Sequence, residues 1–405
     1  MTTLHFPGVD TEVPADAEGP SRTSRIDSAS HTATGGTLRA KFTYNLRDVK
    51  DLAEYLVDHC GLHCFNLHSI NKHSANHVYR LVGGDKDAGK TYVLKHASEH
   101  RAHDGTLAAT TCRMEYEAKF LASKLKDEIE CHCTAKGITT DVNAHIDKTH
   151  AQTVSLVFYD DEIKLLCMQD IGNTSLKDAY SFLSKEQVHE IGTEIGKWLA
   201  RLHGETPISS VLGDSGLNNE VGIEMVRYAY KNLADLFRRT GHKAELAKDI
   251  DDYFGGRISR DRESVCHGDF SPGNIMLQSN VKTGTPCVLT VIDWEAVRVG
   301  NSATDVGQFA AEAFLLDEYH GGKGLRAAFI QAYFQSSAVH YGSKELLYPW
   351  MTKIGAHFAT HLAYWPSHNG HWAYYERKKI DLVGMAALIL ADVVCPKPNI
   401  MVWRR

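Results

Sequence analysis

From Leu46 onward, apolar residues recur at helical spacing through Val49, Leu52, Ala53, Leu56 and Val57, and the run stops at Gly61. Steps of three and four put these side chains on one face of a helix, and glycine suits the left-handed residue that closes one. A helix is therefore expected near 46–60. The period then changes to two. Phe65-Asn66-Leu67-His68-Ser69-Ile70, His77-Val78-Tyr79-Arg80-Leu81-Val82 and Thr91-Tyr92-Val93-Leu94-Lys95-His96 alternate, favour β-formers and are separated by polar, turn-prone links, which predicts three antiparallel strands. In residues 113–125, Met114, Ala118, Leu121, Ala122 and Leu125 form an apolar stripe opposite charges, so a helix comes after the third strand. Thr153–Tyr159 and Ile163–Met168 read as a further hairpin. Beyond Gly172 helical patterns dominate, as in Lys185–His203 and Asn219–Phe237, and the chain is expected to change from sheet-rich to helix-rich near 170. Residues 1–40 are rich in Ser, Thr, Gly, Ala and Asp, show no sustained hydrophobic period, and read as a disordered leader.

Composition narrows the classes of function. The 405 residues are 43% hydrophobic and 23% charged, with a formal net charge of −6, so the chain can bury a large core without disulfide staples. No long apolar run or secretory signal is evident, and a cytoplasmic protein without a membrane partner is expected. Mild acidity gives no footprint for a nucleic-acid backbone. The nine cysteines are an odd number and are read as reduced thiols. His59-Cys60-Gly61-Leu62-His63-Cys64 and Cys131-His132-Cys133 offer zinc-type donors, but neither contains a Cys-x₂-Cys pair. With 23 histidines spread along the chain, chance clustering accounts for them, and a structural role is expected.

Two segments could serve a phosphate. Gly84-Asp85-Lys86-Asp87-Ala88-Gly89-Lys90-Thr91 fits G-x-x-x-x-G-K-[ST], a loop that cradles phosphates when it feeds the N-terminus of a helix. Here the segment runs instead into the strand-like Thr91-Tyr92-Val93-Leu94, so a hairpin turn is expected and a P-loop ATPase is the alternative. The stronger constellation is His267-Gly268-Asp269-Phe270-Ser271-Pro272-Gly273-Asn274, with Val291-Ile292-Asp293-Trp294-Glu295 downstream. An aspartate five residues before an asparagine is the spacing of a kinase catalytic loop. A triphosphate is multiply anionic and needs a hard cation with oxygen ligands, for which Asn274 and Asp293 are the candidates. Asp269 would orient and deprotonate the acceptor hydroxyl.

These residues resemble the signature of the aminoglycoside phosphotransferase and choline kinase superfamily. Within it the chain resembles fungal 4-hydroxytryptamine kinases, themselves similar to methylthioribose kinases, through Leu94-Lys95-His96-Ala97, Met168-Gln169-Asp170-Ile171-Gly172, Gly192-Thr193-Glu194-Ile195-Gly196 and Asp293-Trp294-Glu295. The resemblance implies an α+β, bilobal protein-kinase-like fold, with an antiparallel-sheet N-lobe over 41–170 and a mainly helical C-lobe over 171–405. It implies ATP and Mg²⁺ as cofactors. Lys95 would contact the α- and β-phosphates, with Glu115 rather than Glu117 as its ion-pair partner. Ser74 and Asn76 would hydrogen-bond phosphate oxygens, and the backbone of Met168 and Gln169 would meet the adenine edge. The loop over the phosphates, Asn71-Lys72-His73-Ser74-Ala75-Asn76, is bulkier and more basic than is usual in the family. Gly268 replaces the arginine of protein kinases, and His267 and Asp305 are expected to be structural.

The acceptor expected is a small-molecule alcohol, handled by a monomer or weak homodimer in secondary metabolism. Glu312, Phe314, Asp317, Glu318 and Tyr319, then His357, His361, Tyr364, Trp365, His371, Trp372 and Tyr375, supply acidic and aromatic walls suited to a hydroxytryptamine-like aromatic amine. Helix packing explains the same aromatics. A catalytically inactive nucleotide-binding scaffold is the other alternative.

Overall fold

The computed structural model describes residues 44–71, 76–84, 89–97, 107–123, 149–213, 215–278, 288–337, 344–368 and 381–394. The expected leader, Ser74, Lys72, His73, the Cys131-His132-Cys133 cluster, His371, Trp372 and Tyr375 lie outside these residues.

The first helix, α1 (Val49–Cys60), starts three residues later than its apolar pattern. The reason is its cap: the Asp48 carboxylate accepts the N–H groups of Lys50 and Asp51, and Gly61 closes the helix at φ 64°. Next come β1 (Cys64–Asn71), β2 (His77–Gly83) and β3 (Thr91–His96), antiparallel as predicted. Helix α2 (Leu107–Ala122) begins before its predicted start. The segment read as one strand from Thr153 is two: β4 (His150–Thr153) and β5 (Leu156–Asp160), the latter hairpinned to β6 (Leu165–Gln169). Five strands form one sheet in the order β1-β2-β3-β6-β5. Alternation along β3 sends Tyr92 and Leu94 to the α1 face, where they pack with Leu52, Leu56, Leu81 and Cys167. Val93 and Lys95 face the other way, towards α2.

The P-loop alternative fails on this geometry. The glycine-rich segment joins β2 to β3, with Val82 paired to Thr91 and the Gly83 N–H donating to the Lys90 carbonyl. Residues 91–96 are a strand, so no helix N-terminus is available to receive phosphates there.

Beyond β6 the long helices are α3 (Lys185–Glu205), α4 (Glu220–Arg239) and α5 (Ala244–Tyr253), then α6 (Ala303–His320), α7 (Leu325–Ser337), α8 (Lys344–His368) and α9 (Leu382–Val394). No described helix is long and apolar enough to cross a membrane. Helix α3 carries Gly192 and Gly196 one turn apart against α7; a Cβ on Gly196 would stand 2.4 Å from the Phe329 carbonyl oxygen. Close approach of the two backbones therefore requires glycine there. Among the described residues between α5 and α6 lie four short strands: β7 (Ser264–Cys266), β8 (Ile275–Gln278), β9 (Val288–Val291) and β10 (Arg298–Gly300). β7 pairs with β10, and β8 with β9, while β4 from the first half adds to β9 in parallel. These ladders hold the two ends of 267–274 and the turn after β9.

Candidate active site

Asp269 sits on the loop between β7 and β8, and its backbone is held from below. The Asp305 carboxylate, in the first turn of α6, accepts the N–H groups of His267 at 2.7 Å and Gly268 at 3.0 Å and is 3.1 Å from His203 Nε2. His267 is fully buried; its Nε2–H donates to the Ile292 carbonyl at 2.9 Å, so Nδ1 is the acceptor for the Asp269 N–H at 3.2 Å. Burial pushes the imidazole below the usual histidine range. It is a neutral strut between the loop and β9, and its hydrogen bonds leave no free nitrogen for proton transfer. Gly268 has φ +89° and is pressed against the Ala296 carbonyl, which a Cβ would approach to 2.1 Å.

The Asp269 carboxylate has a donor at each oxygen. Gln308 Nε2 donates to Oδ1 at 2.6 Å, and Asn274 Nδ2 donates to Oδ2 at 3.1 Å and to the Asp269 carbonyl at 2.9 Å. Burial, then the charges of Asp293 and Glu312, push Asp269 up to about 7, against the downward pull of those two amides. Because Asn274 turns its NH₂ group towards Asp269, its Oδ1 points away. That oxygen is buried and has no partner among the described residues.

Asp293 comes after β9 in a left-handed conformation, φ 68° and ψ 57°, which aspartate tolerates better than most residues. The next residue fixes it: Trp294 is fully buried, stacks on Phe120 at 4.1 Å and gives its N–H to Glu117 Oε1 at 3.2 Å. Lys95 crosses from the sheet to this turn, with Nζ 2.5 Å from Asp293 Oδ1 and 3.0 Å from both Glu117 oxygens. Burial opposes the charge of Lys95, but Asp293 and Glu117 outweigh it and hold the ammonium protonated well above the ordinary lysine range. Glu295 completes the group. It accepts from Asn76 Nδ2 at 2.7 Å and pairs with Arg113 at 3.1 Å. One oxygen from each of Glu117, Asp293 and Glu295 lies within 4.8 Å of the others.

Several sequence expectations change here. Glu115 is not the partner of Lys95; it pairs with Lys164 at 2.6 Å and is 30% exposed, whereas Glu117 is fully buried. Two residues on a helix are about 200° apart, and α2 turns 117 inward. Glu117→Gln is accordingly expected to lower kcat/KM for nucleotide about tenfold or more, since it weakens one side of a buried ion pair. Glu115→Gln, which loses a partly exposed pair, is expected to stay within about twofold. Steady-state kinetics on both variants would check this, and the reverse order would restore Glu115. At the strand end, Met168 is a buried interior residue of the ladder between β3 and β5, and the Gln169 N–H donates to the Ser155 carbonyl at 3.0 Å. That donor is committed and cannot meet an adenine edge. Asp170, just beyond, is clamped by Arg80 at 2.7 Å.

A cleft of about 680 Å³, its open mouth included, has Asp269 in its wall together with Tyr230, Gln308, Glu312, His361 and Trp365. Phe314 and Tyr364 belong instead to the helical core, and Asp317 caps α7 by accepting from the N–H groups of Gly324, Leu325 and Arg326. Sequence reasoning missed the α4 wall, with Met225 and Tyr230, and it missed Gln308. Gln308 was findable in principle, because three residues from Asp305 on a helix is the same face.

The family model described as "Phosphotransferase enzyme family" matches residues 67–347. The chain is 23% identical over 365 residues to the 4-hydroxytryptamine kinase of Psilocybe cubensis, covering 85% of this chain and 93% of that protein. It is also 23% identical over 312 residues to the 4-hydroxytryptamine kinase of Psilocybe cyanescens, covering 72% and 80%. Among solved structures, Plasmodium vivax ethanolamine kinase superposes with a TM-score of 0.45 at 13% identity, covering 88% of this chain and 91% of that one. The extent of the family match, with the 267–274 loop and the Asp293 turn lying inside it, shows that the chain belongs to the phosphotransferase enzyme family and is a small-molecule kinase that transfers a phosphoryl group to a hydroxyl.

Proposed function

We propose that the protein transfers the γ-phosphoryl group of magnesium-ATP to the hydroxyl of an aromatic amine of the hydroxytryptamine type. The observation that carries this reading is Asp269: an aspartate pushed up to about 7, held at both oxygens, in the wall of a cleft and under the charge of the paired Asp293. The acceptor would be the hydroxyl of a molecule lying in that cleft. Its oxygen forms the bond to the γ-phosphorus while the bond from that phosphorus to the β,γ-bridging oxygen breaks, and ADP leaves with that electron pair. The hydroxyl proton passes to Asp269. Lys95 orients the phosphates, and Glu117 fixes Lys95. The first half of the chain, 41–170, would thus serve the nucleotide, and 171–405 the acceptor.

The residues fit a divalent cation by an independent sign, the buried and unpartnered Asn274 Oδ1. The Asn274 backbone is tied to the Asp293 turn, since its carbonyl accepts the Ile292 N–H at 3.0 Å. Asn274 and Asp293 would hold magnesium, with Glu295 as a further oxygen donor beside Asp293. Bound magnesium would supply charge neutralisation at the β- and γ-phosphate oxygens. Asn76, tied to Glu295, would sit at the edge of the phosphates.

The aromatic amine is favoured by the cleft's chemistry, a carboxylate among Tyr230, Trp365 and Met225, and by the substrate named in the two relatives at 23% identity. The test is an acceptor panel with magnesium-ATP, comprising 4-hydroxytryptamine, ethanolamine and kanamycin, read as ADP release and as phosphorylated product by mass spectrometry. Turnover of the indole amine at least about tenfold above the others is expected, a difference of about 1.4 kcal/mol in the barrier. Strict preference for the sugar would overturn the acceptor assignment.

A further inference from the structure

Phosphoryl transfer as derived above leaves one buried cation without a task. Arg113 stands on α2 one turn before Glu117, and residues four apart on a helix share a face. That face offers first a cation and then an anion to the turn after β9. Glu117 takes Lys95 at 3.0 Å and the Trp294 N–H at 3.2 Å, while Arg113 Nη1 lies 3.1 Å from Glu295 Oε1. The Arg113 side chain is 9% exposed and that of Glu295 12%, so removing either partner strands a charge that water reaches poorly. Asn76 Nδ2 donates to the other Glu295 oxygen at 2.7 Å. Glu295 is thus oriented from two sides, by α2 and by the residue that precedes β2.

Charge decides what this group can bind. Glu117, Asp293 and Glu295 bring three carboxylates together, each with an oxygen within 4.8 Å of the others. Among the described residues, the cations paired with them are Lys95 and Arg113. Three against two leaves a single negative charge, and without Arg113 that charge is doubled. The attraction for a divalent ion scales with the product of the charges. Magnesium also gives up its water reluctantly and is held by a few carboxylates together with substrate phosphates. Lys95 cannot balance the group by itself, since its ammonium is already shared between Glu117 and Asp293.

We propose that Arg113 is a positioning residue that holds Glu295 beside Asp293 and keeps the carboxylates from taking up a divalent cation until the phosphates of a nucleotide arrive. The inference rests on the reading of Asn274 and Asp293 as the ligands of the metal. The phosphates bring the missing negative charge and the remaining oxygen ligands, so cation and nucleotide enter together.

The probe is Mn²⁺, a hard cation that takes the same oxygen ligands, titrated into the protein without nucleotide and followed by electron paramagnetic resonance. Arg113→Met, which keeps the apolar stem and loses the charge, is expected to bind Mn²⁺ about tenfold or more tightly than wild type, because one elementary charge a few ångströms from a divalent ion is worth at least that much even when well screened. Arg113→Lys, which keeps the charge, is expected to stay within about threefold of wild type. With a non-hydrolysable ATP analogue at saturation, all three proteins are expected to retain Mn²⁺ within about threefold of one another. Mn²⁺ alone should raise the Tm of Arg113→Met and leave that of wild type nearly unchanged, since a ligand stabilises only the protein that binds it. Arg113→Gln serves in place of Arg113→Met if the latter does not fold. Equal Mn²⁺ affinity of wild type and Arg113→Met without nucleotide would overturn the proposal, and so would an Arg113→Lys protein that behaves as Arg113→Met does. If Mn²⁺ is not retained on any of the proteins even with the analogue, the metal reading of Asn274 and Asp293 fails and the proposal falls with it.

Discussion

Asp269→Asn is expected to lower kcat by about 10²- to 10⁴-fold, the range of general-base contributions, while nucleotide affinity stays within about twofold. The amide is isosteric: its oxygen can still accept from Asn274, and its NH₂ meets the Gln308 side-chain oxygen once that amide flips, so the loop keeps its shape and the proton acceptor is lost. Wild-type kcat/KM should fall about tenfold per pH unit below about 7, where burial and the Asp293 and Glu312 charges place the ionisation, and the variant should lack that limb. Stability has the opposite sign. A raised folded-state ionisation means that the native chain binds the proton more tightly than the unfolded chain between the ordinary carboxylate range and about 7. Stability from this group is therefore fully present at low pH and declines as pH rises through that window. At a pH about one unit above that ionisation the asparagine variant should melt at or above the wild-type temperature. Unchanged turnover in Asp269→Asn would remove this residue from the mechanism.

Gly268→Ala is expected to cost about 3 kcal/mol or more, a drop in Tm of roughly 3–5 °C for a chain of this size, together with most of the activity. Two penalties combine. At φ +89° an L side chain is strained in any surroundings, and the new methyl would stand 2.1 Å from the Ala296 carbonyl oxygen and 2.8 Å from its carbon. Backbone cannot rotate aside as a side chain can. Ala296 is also trapped from behind, since a Cβ on Gly222 would meet the same carbonyl at 2.5 Å. Either the 267–274 loop or the turn carrying Asp293 must shift, and both carry residues of the proposed site. Thermal unfolding and kcat measured together check this. Wild-type values for both would mean that the loop takes another path.

The legible part of the sequence rests on local physics. Alternation along residues 91–96 sends Leu94 into the α1 core and Lys95 to the opposite face, and the 269–274 spacing places Asn274 on Asp269 by simple loop closure. The hidden part depends on tertiary phase. Glu115 and Glu117 are chemically equal, and only the packing of Phe120 on Trp294 decides which of them α2 turns inward. Gln169 reads as a strand end, but its amide is taken by Ser155 through a register shift in the β5–β6 ladder. The cleft beside Asp269 combines α4, α6 and α8, whose aromatics divide between cleft and core according to helix rotation: Trp365 enters the cleft, while Tyr364 next to it does not.

β4 was hidden for a different reason, and it matters for how the chain assembles. His150-Ala151-Gln152-Thr153 has little strand character of its own, and its ladder is with β9, 138 residues later, where Gln152 Nε2 reaches Thr290 Oγ1 at 3.3 Å. Closing so long a loop is slow, and no part of that ladder can form until both strands have left the ribosome. Severing the polypeptide near 170 would accordingly leave one piece with an open strand edge and the other with an incomplete sheet. Each would be prone to clump alone, and the two should regain activity only when produced side by side.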